Sequence, residues 1–454
     1  MADPLVFVGS FGKKADGIGA QAVTGVGFTP KAIIFWTEFQ SANETWAANV
    51  TSGIGMTAGA ANSYALNSWE RDAQADTDAR TSVRAFAITM VGALAGAATQ
   101  YGAADLTSFD ADGFTLNWTL NPASFGAVII HFMAIGGAAV TNASVVNWTQ
   151  RNAGAGDKAV TGVGFQPTAV LTAFSVLTGA LPATGSAAAG HGIAAWSSPS
   201  STVSAFSRWG NNAGSVEAAR YQRSDKAMTF CTQAAADDKT ATLTSFDADG
   251  FTLSYSSAAS AGLNHCISLC LRGPVFKAGS FNKSTGAAPV SQAVTGLGLK
   301  PVGVMFMTVG ATTNANPQTE ARLAIGATDG THGQAAAMHN KHAAAGNTEA
   351  DGYSSQSKAV LVVNNDTPAV DASATITTLN NDGFTINWGV NDGNATEILY
   401  FALGSLFVPG GGSTSGKGRG SKKGGGKGAP PSAPPSAPSG SFRATWSTSR
   451  KDWF

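Results

Sequence analysis

Apolar residues along this chain come in short, strand-length blocks separated by glycine-rich turns. Residues 32–39, 169–176 and 302–309 are strongly apolar, and each block follows a turn containing a proline, Pro30, Pro167 or Pro301. Proline fits ahead of a strand because its φ is fixed and it lacks a ladder donor. Middle regions, such as His191-Gly192-Ile193-Ala194-Ala195-Trp196, mix small, polar and aromatic positions. Alternating runs follow at 83–90, 227–231 and 359–363, and a last apolar run closes each third of the chain at 127–135, 266–271 and 398–403. Helical periodicity is not evident. The pattern predicts an all-β protein with seven or eight short strands per third. Two antiparallel sheets packed face to face, as a β-sandwich or jelly roll, would bury such strands.

The thirds are copies of one another. Val23-Thr24-Gly25-Val26-Gly27-Phe28-Thr29-Pro30 recurs as Val160-Thr161-Gly162-Val163-Gly164-Phe165-Gln166-Pro167, and again as Val294-Thr295-Gly296-Leu297-Gly298-Leu299-Lys300-Pro301. A second signature, Asp112-Gly113-Phe114-Thr115-Leu116-Asn117-Trp118, recurs from Asp249 and from Asp382. The first Val and the Asp are separated by 89, 89 and 88 residues in the three copies. Constant internal spacing over so long a period marks a triplicated domain, not a short solenoid repeat. The expected organisation is three sandwich modules at 1–139, 140–273 and 274–408, a Gly/Lys then Pro/Ser/Ala linker at 409–440, and a terminal peptide at 441–454. Three fused like modules are expected to pack as a pseudo-threefold body, with a linear string of modules as the other arrangement.

The run Thr24-Gly25-Val26-Gly27-Phe28-Thr29-Pro30-Lys31-Ala32-Ile33-Ile34-Phe35-Trp36, the later Asp-Gly-Phe-Thr-Leu-Asn-Trp and the closing Phe132-Met133-Ala134-Ile135-Gly136-Gly137 together resemble concanavalin-like (jelly-roll type) sandwich modules of tailed-bacteriophage virion proteins. The likeness spans about nine-tenths of the chain. Copy 3 departs from it, with Leu299 in place of Phe and Asn380-Asn381 in place of Asp-Ala. The resemblance implies a non-enzymatic virion structural protein, a capsid decoration or tail-associated component, assembled in the host cytoplasm and contacting other capsid or tail proteins. It also leaves a second reading, a tail-fibre or tail-tip adhesin binding host-surface glycan or another receptor. Trp46, Trp69, Trp196 and Trp209 are the candidate sugar platforms for that reading, although their positions are not matched across the copies.

Charge adds an asymmetry. The chain is formally neutral, but from Pro409 onward it carries +7 and the preceding residues −7. A Gly/Lys-rich then Pro/Ser/Ala-rich stretch cannot bury enough apolar surface to order itself, so a disordered arm is expected there. The arm ends in a cluster of aromatic and basic residues: Phe442, Arg443, Trp446, Arg450, Lys451, Trp453 and Phe454. Trp and Arg are common interface anchors, and these seven residues are the expected partner-binding site, a tethered docking peptide. A solvated terminus, or an arm for nucleic acid or an acidic surface, are the other readings; nucleic acid is not the expected partner.

Candidate chemistry is sparse. Asp110-x-Asp112-Gly113 and Asp247-x-Asp249-Gly250 resemble the start of a calcium loop but lack its distal ligands, and Asp-Gly is a hairpin signal. His332, His339 and His342 match no zinc spacing and are expected in an exposed polar loop. His131, His191 and His265 stand alone and are expected at core or edge positions. Glu70 and Asp72 are an acid pair in an expected polar loop, with glycoside chemistry as its functional reading. Nucleophile-elbow, phosphate-loop and zinc-protease signatures are absent. No enzyme activity, cofactor or metal is therefore expected. Cys231, Cys266 and Cys270 are too few for a disulfide framework and are expected to be reduced and buried. Met1-Ala2-Asp3-Pro4 lacks the features of a secretory signal, and no apolar run is long enough to span a membrane, so folding in a reducing cytoplasm without membrane contact is expected.

Overall fold

A computed structural model describes residues 3–407 except 16, 39, 74–77, 95–96, 123–127, 153, 180, 186–187, 211–216, 259–261 and 343–348. The seven residues of the expected docking peptide, and the linker before them, lie outside the described residues. The described chain is all-β, with 33 strands, eleven from each copy. That exceeds the seven or eight expected per copy for identifiable reasons. The opening strand Leu5–Gly12 is half exposed and gave little apolar signal. Residues 83–90 are not one strand: Ala79–Arg84 ends in the large sheet, and Ile88–Leu94 begins in the small one. A strand of two or three residues in each copy is too short to leave a periodic pattern.

Each copy is a two-layer antiparallel sandwich. In copy 1 the small sheet has four strands, Gly19–Thr24, Gly113–Leu120, Ala97–Asp110 and Ile88–Leu94, in that spatial order. The large sheet runs Leu5–Gly12, Ile129–Gly136, Pro30–Thr37, Val50–Thr57, Ser63–Glu70, Ala79–Arg84. Its seventh strand, Ala183–Gly185, comes from copy 2. The borrowing is cyclic. Gln318–Thr319 of copy 3 completes the large sheet of copy 2, and Trp46–Ala48 of copy 1 completes that of copy 3. Three edges that would otherwise be open are thereby paired, and the three copies close into a ring. The ring matches the expected pseudo-threefold arrangement, not a string of beads.

The near-continuous apolar runs follow from this closure. An antiparallel sheet with one solvated face should alternate apolar and polar, but a sheet covered on both faces cannot. In Pro30–Thr37, Ile33 and Phe35 point into the copy 1 sandwich core with Phe114, Trp118 and Phe132. Ala32, Ile34 and Trp36 point the other way, into a second core shared by all three copies. Copy 2 splits in the same way, Val170 and Phe174 against Leu171 and Ala173, and so does copy 3, Val304 and Phe306 against Met305 and Met307. The shared core is the larger one, and no single copy could bury it alone.

The two sequence signatures meet in space. The Asp112 carboxylate accepts the N–H groups of Gly25 (3.1 Å) and Gly27 (2.6 Å). Asp249 does the same for Gly162 and Gly164, and Asp382 for Gly296 and Gly298, with distances alike to 0.1 Å. The glycine after each Asp has φ near +145°, and a Cβ there would lie about 2 Å from the carbonyl oxygen of Val23, Val160 or Val294. Only glycine fits there. The Asp-x-Asp pairs are therefore loop clamps: Asp110 and Asp247 accept hydroxyls from Ser108 and Thr115, and from Ser245 and Thr252.

Candidate functional site

The polar groups that strand patterning cannot explain gather at the three junctions between copies. One contact recurs at all of them. The hairpin turn after the strand Val50–Thr57, or its counterpart, holds the main chain of the next copy's opening strand. Asn62 accepts from Val145 N and donates to Val145 O, Ser201 accepts from Ala278 N and donates to Ala278 O, and Asp329 accepts from Val8 N. The side chains differ, but the place does not.

At the junction of copies 1 and 2, Ser52 Oγ donates to Glu38 Oε1 (2.6 Å) and lies 2.8 Å from His191 Nε2. With Ser52 donating to the acid, its oxygen is left to accept from His191 Nε2. Burial pushes the Glu38 carboxyl up to about 8, against the opposing hydrogen bond from Ser52, and brings His191 down to about 3. A serine, a histidine and a glutamate meet here, but the serine sits between the other two. In a nucleophilic relay the histidine is the bridge.

At the junction of copies 3 and 1, His131 bonds Gln334 Oε1 through Nδ1 (2.8 Å) and Ser354 Oγ through Nε2 (2.6 Å), and stacks on Trp36. Burial brings it down to about 4, with the Gln334 bond opposing. Glu70 is fully buried at the end of Ser63–Glu70 and accepts from the Asn340 amide; burial raises its carboxyl well above the usual range. Asp72 accepts from Ala350 N (3.1 Å). The expected polar loop carrying an acid pair is thus corrected: Glu70 belongs to a strand, and both acids tie copy 1 to copy 3.

At the junction of copies 2 and 3, Gln222 donates to Glu397 O (2.9 Å) and accepts from Val309 N (2.9 Å). Beside it is a cavity of about 530 Å³ with polar walls, including Arg220, Gln318, Arg322, Asn365, Asp371, Asp392 and Asn394. This cavity is the candidate site, and its two arginines had no motif to mark them in the sequence.

The other expected sites fall as follows. Trp196 and Trp209 are fully buried and Trp69 nearly so, while Trp46 packs on Tyr353 of copy 3 from its borrowed strand. As exposed sugar platforms the three buried ones are corrected: Trp196 lies in the copy 2 sandwich core, Trp209 in the core shared by the copies, and Trp69 against Gly92 of the small sheet of copy 1. The three clustered histidines do not share an exposed loop. His332 pairs with Asp329, His339 is buried in Gly333–Asn340 and bonds Asn365 O, and His342 accepts from Ala218 N of copy 2. His131, His191 and His265 are buried, as are the three cysteines, which are unpaired; burial raises all three thiols, Cys231 to about 12. Among the described residues no group of three or more His, Cys, Asp or Glu side chains is arranged to hold a metal, and no helix is long and apolar enough to cross a membrane. Comparison with protein-family models, curated proteins and solved structures returned no match.

Proposed function

We propose that this chain is a non-enzymatic structural component of a virus particle, placed as a capsid decoration or tail-associated part and attached through its C-terminal peptide. The observation that carries the reading is the cyclic strand exchange. It turns one chain into a body with near-threefold symmetry, the shape that seats on a threefold or quasi-threefold position of a larger assembly. Conserving closure across three diverged copies is what an architectural role demands, since the junction chemistry has drifted while the ring has not. A single basic, aromatic arm on an acidic body supplies attachment without requiring the symmetry of the partner to be exact. The adhesin reading loses support, because three of its four candidate tryptophans are buried.

The test is cosedimentation of the full chain and of a 1–408 truncation with source-virus particles that lack this protein. Pelleting of the full chain alone supports an arm-anchored structural part. Equal pelleting of both moves the contact to the ring surface, and no pelleting of either sets the virion reading aside.

A further inference from the structure

Counting along the strand ladders finds the places of Arg220 and Arg322 in the other copies. In copy 2, Arg220 pairs with Ser207 and with Gln318 of the borrowed strand. The same place is Thr81 in copy 1 and Gly352 in copy 3. Arg322 stands three residues before Ile325, as Thr51 stands before Ile54 and Gly190 before Ile193. Thr81 thus faces Gly190 at the junction of copies 1 and 2, Arg220 and Arg322 share the cavity wall at that of copies 2 and 3, and Gly352 lies against Gln40 and Glu38 of copy 1. The first pair bonds directly, Gly190 N to Thr81 Oγ1 (3.3 Å). Neither of the other two junctions carries an arginine at these ladder positions.

The third junction nevertheless buries two guanidinium groups, with residue exposures of 5% and 4%. Arg220 donates to Thr319 O, Glu320 O (3.0 Å) and Gln318 Oε1 (2.9 Å). Arg322 donates to Val363 O and Gly310 O (3.0 Å). Every acceptor is neutral, and the Nε of each arginine is buried without a partner. The two carboxylates on the cavity wall are engaged elsewhere: Asp392 pairs with Lys283 (2.6 Å), and Asp371 accepts from Asn364 (2.8 Å). The Glu320 carboxylate attracts both guanidinium groups, and those of Asp371, Asp366 and Asp392 attract Arg322, but none of these carboxylates bonds either arginine directly and burial outweighs them. Burying like charges together is costly, and arginine does not relieve the cost by losing its proton near neutral pH.

We infer that the cavity between copies 2 and 3 is a binding site for a small oxyanion-bearing ligand, a phosphate or a carboxylate on a polar body, held between Arg220 and Arg322. The remaining walls suit such a body. Gln318, Asn365, Asn394, Thr312 and Thr396 offer amides and hydroxyls, and the volume lies within the range of small-molecule sites. Arginine pairs of this kind are the usual solution for carboxylate and phosphate recognition.

The test is calorimetric titration of the full chain in chloride buffer of fixed ionic strength, with inorganic phosphate and with glucuronate as separate probes. Saturable binding of at least one probe is expected. Arg220→Met and Arg322→Lys should each weaken it about tenfold or more, from the loss of charge-assisted hydrogen bonds to the oxyanion. Arg151→Met, at a half-buried arginine of copy 2 outside the cavity, should leave it unchanged. Phosphate binding without glucuronate binding assigns a phosphate site, and the reverse assigns an acidic sugar. Absence of saturable binding for both probes in the folded wild type overturns the inference. So does equal affinity in Arg322→Lys, which keeps the charge and guards against loss of folding in the other variant.

Discussion

The junctions of copy 1 with its two neighbours bury carboxyl and imidazole groups, whereas the junction of copies 2 and 3 adds two guanidinium groups beside a cavity to its own buried carboxyl, Glu397. The backbone frame is the same in each: a borrowed strand and a turn gripping the next copy's opening strand. The difference lies in how each charge is handled. Glu38, Glu70, His131 and His191 escape the cost of burial by staying neutral, which makes their junctions sensitive to pH. Arg220 and Arg322 have no such escape near neutrality, and their junction is sensitive to what fills the cavity. One architecture tolerates both because closure depends on main-chain pairing and the shared core.

The largest effect should come from opening a junction. His131→Leu strands Gln334 Oε1 and Ser354 Oγ on the opposing copy, and Gln222→Leu strands Val309 N and Glu397 O. Each should cost about 2–4 kcal/mol in a denaturant titration, since buried partners are left unpaired. A much smaller loss at Gln222 would mean that the cavity junction is already loose.

Next in size is the alkaline response. The folded Glu38 carboxyl sits near 8, above its ordinary value of 4.5, so its contribution is complete below pH 4.5 and is lost as pH rises through about 8. Glu38→Gln should therefore be more stable than wild type at pH 9, by about 2–4 kcal/mol, and close to it at pH 5. The histidines act with the opposite sign. Their folded values lie below 6.5, at about 4 for His131 and 3 for His191, so their contribution is complete above pH 6.5 and is lost on acidification toward those values. Melting temperature should fall between pH 6.5 and 4, and His191→Asn should flatten the slope. An Arg220 variant should leave both profiles unchanged, because Glu38, His131 and His191 make their hydrogen bonds at the other two junctions.

The smallest effect concerns what the copies share. Asp112→Asn, Asp249→Asn and Asp382→Asn should each lower stability slightly in a denaturant titration, equally and additively, because the three clamps have the same geometry and no common partner. Unequal losses would show that the junctions strain the outer sheets differently.

Much of the fold was legible from local signals. The Gly-x-Gly and Asp-Gly signatures marked the repeats, and their distances of 89, 89 and 88 residues foreshadowed a shared contact, now seen as the carboxylate clamp. The apolar runs located the central strands, but nothing in them told which face met the sandwich core and which met the other copies. The borrowed strands were illegible because two or three residues carry no period. The tryptophans misled because the pattern did not show which strand face is covered: Trp196 fills its own sandwich core, and Trp209 the shared core that closure creates. Arg220 and Arg322 stand 102 residues apart with no motif between them. Only strand register brings them together, and only comparison with Thr81 and Gly190 shows that another junction closes at the same place without arginine.

The borrowed strand Trp46–Ala48 also bears on the order of events during synthesis. It emerges early, yet its partner Ala350–Ser355 lies some 300 residues later. At about 5–20 residues per second, the ribosome needs on the order of tens of seconds to make that partner. Throughout that interval copy 1 displays an unpaired donor strand and an uncovered apolar face, the two features most prone to mispairing with another nascent chain. Fusing the copies makes the final closure intramolecular, so crowding among neighbouring ribosomes, more than the stability of the finished ring, should set the yield of correctly closed protein.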